Sequence, residues 1–529
     1  MTEHVDAPRR TVAVVATVLV AAAVAFGTLL RVMTVATGSL WLDELWTLDA
    51  ISRSYQEMVG SRLVSDQSPP AWTSLSWLWL RLTGTYDATV MRSLPLVLGL
   101  VGVAAPLLGA VRMRRLRPQL LVMAALTALS LIAVQYSVEM RAYAFTMAMG
   151  SVATVIWAGL LTGSIPRTGR WIFAMALAGA VGGFAHYYGN LLYVGLLAVL
   201  AMAWLRVDPP RPLYVLAGWG ALSLVPVGAW YVATRRWSPG IAVAPDPGLG
   251  EIEHWTQYAF APVTNLLSGQ SPGYADGTPG TGLAILLLVA LALAGAVALG
   301  YVRGQRTALA TRAPGVALGV ATLAVVAVAV GAAWVLSLLL PPSMNARNLS
   351  AVVPALFLAT ACAATAARRR SRQWTAAALV VGVWLSVATV YTAVHGVSAL
   401  APPWQQESGY RAAAELVMAS QEGSGSSRLV GLKQAWDWHG DWDAVVRSET
   451  GAPPADPTDP EPLPVTWVLD ASDPALESLR GQPLVAFAYA SDARADALLA
   501  WAQQASSPCE LRTFGGPGVG KVVVADCRS

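Results

Sequence analysis

The stretch from Thr11 to Leu30, TVAVVATVLVAAAVAFGTLL, decides the fold of this chain. It contains no charged residue and is long enough to cross the hydrocarbon core of a bilayer as a helix. A basic pair, Arg9–Arg10, precedes it. The run is longer than the apolar core of a cleaved signal peptide, and further apolar runs follow it. It therefore predicts a retained first membrane helix rather than a signal peptide.

Similar apolar runs recur along the first 400 residues. Hydrophobic residues make up 55% of the 529-residue chain and charged residues only 12%, whereas about a quarter of a soluble protein is charged. The sequence therefore predicts a mainly α, polytopic membrane helical bundle of about eleven spans. The predicted spans cover residues 12–30, 94–111, 120–136, 142–161, 171–185, 191–205, 213–232, 282–301, 316–339, 349–366 and 375–394.

Arginines between the predicted spans indicate the orientation of the chain, because basic loops lie on the cytoplasmic side of a membrane. They occur in alternate loops, which predicts a cytoplasmic N-terminus. Because the number of predicted spans is odd, the region 401–529 is predicted to lie outside the cytoplasm. The net charge is only +4, and the arginines cluster between the apolar runs rather than along a groove, which disfavours nucleic acid as a partner. The predicted spans imply membrane lipids as partners. These arginines are Arg112, Arg114, Arg115, Arg117, Arg167, Arg170, Arg206, Arg211, Arg303, Arg306, Arg312, Arg368, Arg369, Arg370 and Arg372.

Two long loops, residues 33–92 and 233–281, fall on the predicted outer side. Loops of this length in a compact protein are usually functional or disordered. The first is rich in Trp and apolar residues, which is typical of helices that lie in the membrane interface. Together with the spans they form a predicted membrane domain over residues 1–400.

The composition changes sharply after residue 400. Short apolar strands and two helical stretches predict a small α/β domain over residues 401–529, outside the cytoplasm. Cys509 and Cys527 lie in it, close enough in sequence to close a short loop. A disulfide is permitted between them in that compartment.

Two further motifs in this domain favour plainer interpretations. The Trp- and Asp-rich segment 436–443 suits stacking on sugar rings, but an ordinary exposed loop is the favoured interpretation. Residues 515–521 match the spacing of a nucleotide-binding loop. Val522 stands where that loop needs Ser or Thr, and we reject a nucleotide site there.

The strongest candidate for catalysis is the acidic pair in the segment Leu40-Trp-Leu-Asp-Glu-Leu-Trp46. A charge kept at the edge of a membrane is a functional candidate. Neighbouring side chains on a helix diverge by about 100°, so Asp43 and Glu44 cannot face the same atom. One can act as a general base while the other orients it or binds substrate. A solvated interfacial pair is the plainer alternative.

Other polar residues lie at the outer ends of the predicted spans. Each has a plainer interpretation. The segment at Asp66 can be a turn that starts a helix, and His186 can be an interfacial residue with its hydrogen bonds satisfied. The arginines can extend to lipid headgroups. The outer-face cations suit a lipid-linked phosphate, for which Arg141, Arg235, Arg236 and Arg347 are the candidate ligands. The remaining site candidates are Asp66, Glu139, Tyr143 and His186. The spacing of Cys and His indicates no zinc site.

In this order, the motifs resemble those of the GT-C superfamily of membrane glycosyltransferases, over about residues 12–400. The branch they resemble is that of the protein O-mannosyltransferases and ArnT-like enzymes, which use polyprenyl-phosphate sugars. Ser68 stands where the family often has His, and Asn348 where it has Tyr. The matching elements are Asp43–Glu44, Ser68-Pro69-Pro70, Arg92-Ser93-Leu94-Pro95, Glu139-Met140-Arg141-Ala142-Tyr143, His186-Tyr187 and the segment from Arg347 to Pro354.

The resemblance implies an enzyme that moves a sugar, with mannose the expected one, from a polyprenyl phosphate to an acceptor hydroxyl on the outer face. The acceptor is a glycan, a lipoglycan or a protein. Asp43 is the expected base and Glu44 supports it. No cofactor is required, and a divalent metal stays open as an alternative without a sequence signal for it. Three alternatives stay open: an arabinofuranosyltransferase of the same superfamily, a transporter or flippase for lipid-linked sugar, and a non-catalytic scaffold. A transporter would predict charges near the membrane midplane, whereas here they lie at the helix ends.

Overall fold

The computed structural model forms two compact units. The first comprises Met1–Met33, Val59–Trp72 and Pro95–Leu400, and the second comprises Thr34–Met58, Thr73–Leu94 and Ala401–Ser529. The structure describes residues 7–36, 40, 42–64, 68–205, 211–235, 249–261, 263–268, 285–286, 289–290, 314–339, 346–367, 370–397, 416, 428–432, 465–468, 471–480, 482, 484–489, 495–505, 509–514 and 522–527.

Helices dominate the chain up to residue 400. The early ones are α1 (Ala7–Val35), α2 (Leu42–Ser52), α3 (Tyr55–Val64), α4 (Ala71–Thr83), α5 (Ala88–Arg112), α6 (Arg117–Leu129), α7 (Leu131–Tyr136), α8 (Tyr143–Thr162) and α9 (Gly169–Ala185). The later ones are α10 (Tyr187–Trp204), α11 (Arg211–Arg235), α12 (Leu249–Ala259), α13 (Val263–Ser268), α14 (Pro314–Leu339), α15 (Val353–Ala364) and α16 (Arg370–His395).

Within the described residues, seven helices are long and apolar enough to cross a membrane. They are α1, α5, α8, α10, α11, α14 and α16, and each overlaps a span predicted from the sequence. Two shorter apolar helices, Gly169–Ala185 and Asn348–Ala364, overlap two more predicted spans. The protein is thus a membrane helical bundle, as predicted. The predicted span 282–301 lies almost wholly outside the described residues.

The third predicted span, residues 120–136, is not one continuous helix. It is divided at Ser130, whose backbone is extended with φ −67° and ψ 133°. The Ser130 hydroxyl donates to the carbonyl oxygen of Ala259 at 2.9 Å, and the N–H of Leu131 donates to that of Ala261 at 3.0 Å. Both halves are almost wholly buried, so apolar residues continue through Ser130 and the sequence pattern gives no sign of the break.

The two long outer loops predicted from the sequence contain helices. The first holds α2, α3 and α4, and the second holds α12 and α13. α3 begins with a capping box. The backbone N–H of Glu57 donates to the Ser54 hydroxyl, and the backbone N–H and the hydroxyl of Ser54 both donate to Glu57 Oε2. Tyr55 and Trp77 meet edge to face with ring centroids 5.3 Å apart, which joins α3 to α4. The loop that carries the acidic pair is therefore an ordered helical element.

The C-terminal region contains the predicted small α/β fold. Its strands are β1 (Arg428–Leu432), β2 (Val465–Val468), β3 (Leu484–Tyr489), β4 (Glu510–Phe514) and β5 (Val522–Cys527), and its helix is α17 (Ala495–Ala505). The sheet has the order β2-β1-β3-β5-β4, in which β1 is parallel to β2 and β3, and β5 is antiparallel to β3 and β4. Leu498 and Trp501 of α17 join its buried core.

Cys509 and Cys527 form a disulfide that closes a loop with a sequence separation of 18. Because cross-linking restricts the unfolded chain, a loop of this size contributes about 3 kcal/mol to stability. We expect Cys509→Ser with Cys527→Ser to destabilise the C-terminal sheet by about that amount, read as faster proteolysis of this region under mild denaturant. As a direct check, maleimide should label only the third cysteine, Cys362, in denatured unreduced protein. Labelling of all three without reductant would contradict the bond.

Candidate functional site

The acidic pair predicted to be catalytic opens helix α2 in the second unit. Asp43 and Glu44 occupy its first turn, where the helix dipole stabilises negative charge. Because successive residues diverge by about 100°, the two side chains have different surroundings. Asp43 is half-buried, whereas Glu44 is fully buried. The two carboxylates are thus distinguished by burial.

Glu44 forms a buried ion pair with Arg92, which lies in the first turns of α5. The Arg92 Nε donates to Glu44 Oε1 at 2.9 Å and its Nη2 donates to Glu44 Oε2 at 2.7 Å. The two side chains are 0% and 1% exposed. A bidentate pair of this kind fixes both groups in direction as well as in distance. It joins the start of α2 to the start of α5.

This pair distinguishes the surroundings of the two acids. The Glu44 carboxylate bonds to Arg92 and is fully buried, so it ties the start of α2 to the start of α5. Asp43, the adjacent residue, is carried on the backbone that this pair fixes, and its carbonyl oxygen accepts from the Thr47 hydroxyl at 3.1 Å. Asp43 is the acid of this turn that is partly accessible.

A second set of predicted residues lies in the first unit, in the turn between α7 and α8. Glu139 is fully buried and Arg141 is half-buried. The N–H of Arg141 donates to the carbonyl oxygen of Glu139 at 2.7 Å, which makes the turn tight. Tyr143 opens α8, and its ring lies 4.6 Å from that of Tyr136 and 5.8 Å from that of His186, centroid to centroid. The structure thus brings Glu139, Arg141, Tyr143 and His186 together.

His186 is the residue between α9 and α10 and caps the start of α10. Its Nδ1 accepts from the N–H of Tyr188 at 3.4 Å, so Nδ1 carries no proton and a neutral ring donates through Nε2. Removal from water, and after it the positive charge of Arg141, lower the pKa of His186 to about 4. At neutral pH the imidazole is therefore uncharged and leaves Arg141 as the cation of this group.

Arg347 is half-buried and precedes the short 3-10 helix Asn348–Val352. The backbone N–H of its neighbour Ala346 donates to the Oε2 of Glu251 at 2.8 Å. Glu251 lies in the first turn of α12, so this bond ties α12 to the segment that carries Arg347. The sequence analysis did not identify Glu251, because no pattern links residues so far apart along the chain.

Several predicted residues lie outside what the structure describes. Asp66, Arg236 and the segments 436–443 and 515–521 are among them, and for Arg235 only the backbone is described. Across the described ranges, no group of three or more His, Cys, Asp or Glu side chains has the arrangement of a metal site.

Two arginines matter more than the sequence analysis indicated. Arg92 entered it only through the resemblance, and its bond to Glu44 joins residues 48 positions apart, which no periodic pattern reveals. Arg31 lies one residue beyond the predicted end of the first span and is completely buried. Its signal in the sequence is a charge adjoining an apolar run, from which we drew no prediction.

Comparisons with known proteins give likenesses in solved structures alone, since no family model and no curated protein matches. ArnT from Cupriavidus metallidurans bound to undecaprenyl phosphate is 14% identical, with a TM-score of 0.48, over 96% of this chain and 97% of that one. The oligosaccharyltransferase AglB from Archaeoglobus fulgidus, in complex with an inhibitory peptide and a dolichol-phosphate, is 12% identical, with a TM-score of 0.42, over 84% and 64%. The arabinofuranosyltransferase AftD from Mycobacteria is 15% identical, with a TM-score of 0.42, over 96% and 40%.

None of the three is more than 15% identical to this chain. The TM-scores all lie below 0.5. What this chain does is therefore inferred below from its own residues.

Proposed function

We propose that this protein is a membrane glycosyltransferase that moves a sugar from a polyprenyl phosphate to an acceptor hydroxyl at the outer face of the membrane. The observation that carries the proposal is the acidic turn of α2. There a partly accessible carboxylate, Asp43, adjoins the buried, bidentate pair of Glu44 and Arg92. A base held on a rigid element keeps its direction toward a substrate. We take mannose as the sugar and a glycan, lipoglycan or protein as the acceptor.

In the proposed step, Asp43 takes the proton of the acceptor hydroxyl as the oxygen attacks the anomeric carbon. The new C–O bond forms while the bond from the anomeric carbon to the phosphate oxygen breaks, and the electron pair of that bond leaves with the polyprenyl phosphate. Attack from the face opposite the leaving group inverts the anomeric centre. General-base assistance of this kind contributes on the order of 10²–10⁴ in rate.

The leaving phosphate gains charge in this step, and cations near it lower the barrier. Arg141 and Arg347 are the described candidates, and both are half-buried, where a charge interacts more strongly than in bulk water. Because His186 is neutral at neutral pH, the positive charge beside it is that of Arg141. Arginines can neutralise a phosphate monoester without a metal, so the proposal requires no cofactor.

The proposal is tested by donor consumption. Purified protein in detergent or nanodiscs is incubated with a panel of radiolabelled prenyl-phosphate sugars that includes mannose and arabinofuranose, and release of prenyl phosphate is followed. We expect turnover of one donor with inversion at the anomeric carbon, and we expect it to persist in EDTA. Transport of an intact donor across vesicles without cleavage would instead establish a flippase. Consumption of arabinofuranose alone would correct the sugar.

A further inference from the structure

Arg31 is a fully buried cation near the end of the membrane helix α1. Its side chain is 0% exposed. A charge inside a membrane protein is costly and is kept only where it is paired or hydrogen-bonded. Arg31 therefore needs a structural or functional reason.

The guanidinium group of Arg31 donates four hydrogen bonds. Its Nη1 donates to the carbonyl oxygens of Gly27 at 2.9 Å and Ala128 at 2.5 Å, and its Nη2 donates to that of Thr127 at 2.8 Å. Its Nε donates to the Ser137 hydroxyl at 3.1 Å. Three of the four acceptors lie about a hundred residues further along the chain. The planar fork of arginine is suited to this set of acceptors, and the single ammonium of lysine is not.

Two of these acceptors are carbonyls that the helix break at Ser130 leaves without their usual partners. In a continuous helix, Thr127 and Ala128 would accept from the N–H groups four residues later. Instead, the N–H of Leu131 donates to Ala261. A carbonyl oxygen without a hydrogen-bond donor is energetically costly inside a membrane. Arg31 supplies donors to both of these carbonyls.

The fourth acceptor connects Arg31 to the candidate site. Ser137 directly follows α7 and begins the turn that carries Glu139 and Arg141. Packing around this contact is tight. A Cβ at Gly99 of α5 would lie 2.0 Å from the Ser137 Oγ, and a Cβ at Gly27 of α1 would lie 2.2 Å from the Ala128 carbonyl oxygen. α1 and α5 can thus approach this segment closely only because these positions are glycine.

We infer that Arg31 is a positioning residue, which acts through Ser137 to fix the turn 137–141 so that Arg141 is held in place for a phosphate group. The inference rests on the proposed function for the identity of the phosphate, which is that of the prenyl-linked donor. Arg31 itself does not touch the substrate. It holds the segment that does.

Three variants disturb this contact from different elements. Arg31→Lys keeps the charge but loses the fork, Ser137→Ala removes one acceptor and leaves three, and Gly99→Ala displaces the Ser137 side chain. The matched control is Thr322→Val in α14. The Thr322 hydroxyl is equally buried and donates only to the Leu318 carbonyl oxygen, one turn earlier in its own helix, among the bonds seen for it. Ser137→Ala keeps the test decisive if Gly99→Ala does not fold.

Two measurements decide the inference. The first is hydrogen exchange of the amides of Val138 and Arg141, which donate to the carbonyls of Gln135 and Glu139. The second is the Kd for undecaprenyl phosphate, together with KM and kcat for the donor. We expect faster exchange in the three variants and a Kd and KM raised on the order of tenfold to a hundredfold, with a smaller change in kcat. Thr322→Val is expected to match the wild type.

Unchanged exchange at these amides in Arg31→Lys and Ser137→Ala would overturn the inference whatever the enzyme does. Faster exchange with unaltered Kd and KM would overturn it as well, since the turn would then not position a phosphate ligand. A wild-type protein that neither binds undecaprenyl phosphate nor consumes any donor would remove the proposed function instead, and the exchange data would still decide whether Arg31 holds the turn.

Discussion

Asp43→Asn is expected to reduce sugar transfer by about 10²–10⁴-fold while leaving the protein folded and in the membrane. The amide has almost the same shape as the carboxylate but cannot take a proton from the acceptor hydroxyl. Because Asp43 is half-buried and the adjacent Glu44 is committed to Arg92, no neighbouring carboxylate in this turn is available to replace it. Steady-state rates with a saturating donor measure the loss, which should fall on kcat rather than on KM.

The matched control for this prediction is Asp49→Asn on the same helix. Asp49 pairs with Arg53 at 2.8 Å, and both side chains are partly exposed. The same chemical change there removes a surface ion pair of the kind that contributes about 1 kcal/mol or less, so transfer should remain within a few-fold of the wild type. Equal rates for Asp43→Asn and the wild type would eliminate Asp43 as the base.

Glu44→Ala is expected to destabilise the protein by about 3–5 kcal/mol, because it leaves the Arg92 charge buried without its bidentate partner. Both side chains are at most 1% exposed, so water cannot replace the lost carboxylate. The thermal midpoint of the purified protein in detergent, or its sensitivity to proteolysis, measures the effect. Transfer should fall too, since α2 carries Asp43.

A double variant distinguishes two contributions to the lost stability: the cost of burying the Arg92 charge without its carboxylate, and the loss of the ion pair itself. Replacing both residues, Glu44→Met with Arg92→Met, removes the buried cation together with its carboxylate and is expected to recover much of the stability lost in Glu44→Ala. Activity is not expected to recover equally, because methionines cannot fix the direction of α2. The exposed pair of Asp49 and Arg53 again serves as control, and Arg53→Met should cost about 1 kcal/mol or less. A Glu44→Ala protein as stable as wild type would show that the ion pair does not hold the loop.

Apolar runs predicted the membrane bundle well, because the length of a run and its lack of charge are the physical requirements for crossing a bilayer. Short apolar runs likewise predicted four of the five strands of the C-terminal sheet, which are β1, β2, β3 and β5. β4, Glu510–Phe514, was missed, since its burial pattern is almost wholly exposed and gives no apolar run. The break at Ser130 was missed because it depends on carbonyl oxygens more than a hundred residues away.

The sequence identified candidate site residues, but it could not predict which of them contact each other. Asp43 and Glu44 could be singled out because charges beside an apolar span are costly. Which of them is accessible depends on Arg92, and only the fold brings Arg92 to Glu44. Arg31 was overlooked for the same reason, since its acceptors are backbone carbonyls that leave no signature in a sequence. Glu251 is a third example, as its partner is the backbone of Ala346.

The interruption at Ser130 also constrains how the chain is made. Its hydroxyl and the N–H of Leu131 find their acceptors on Ala259 and Ala261, which leave the ribosome some 130 residues later. These two hydrogen bonds can form only after α12 and the residues that follow it have been synthesised, so the geometry around Ser130 cannot be completed before that point of translation.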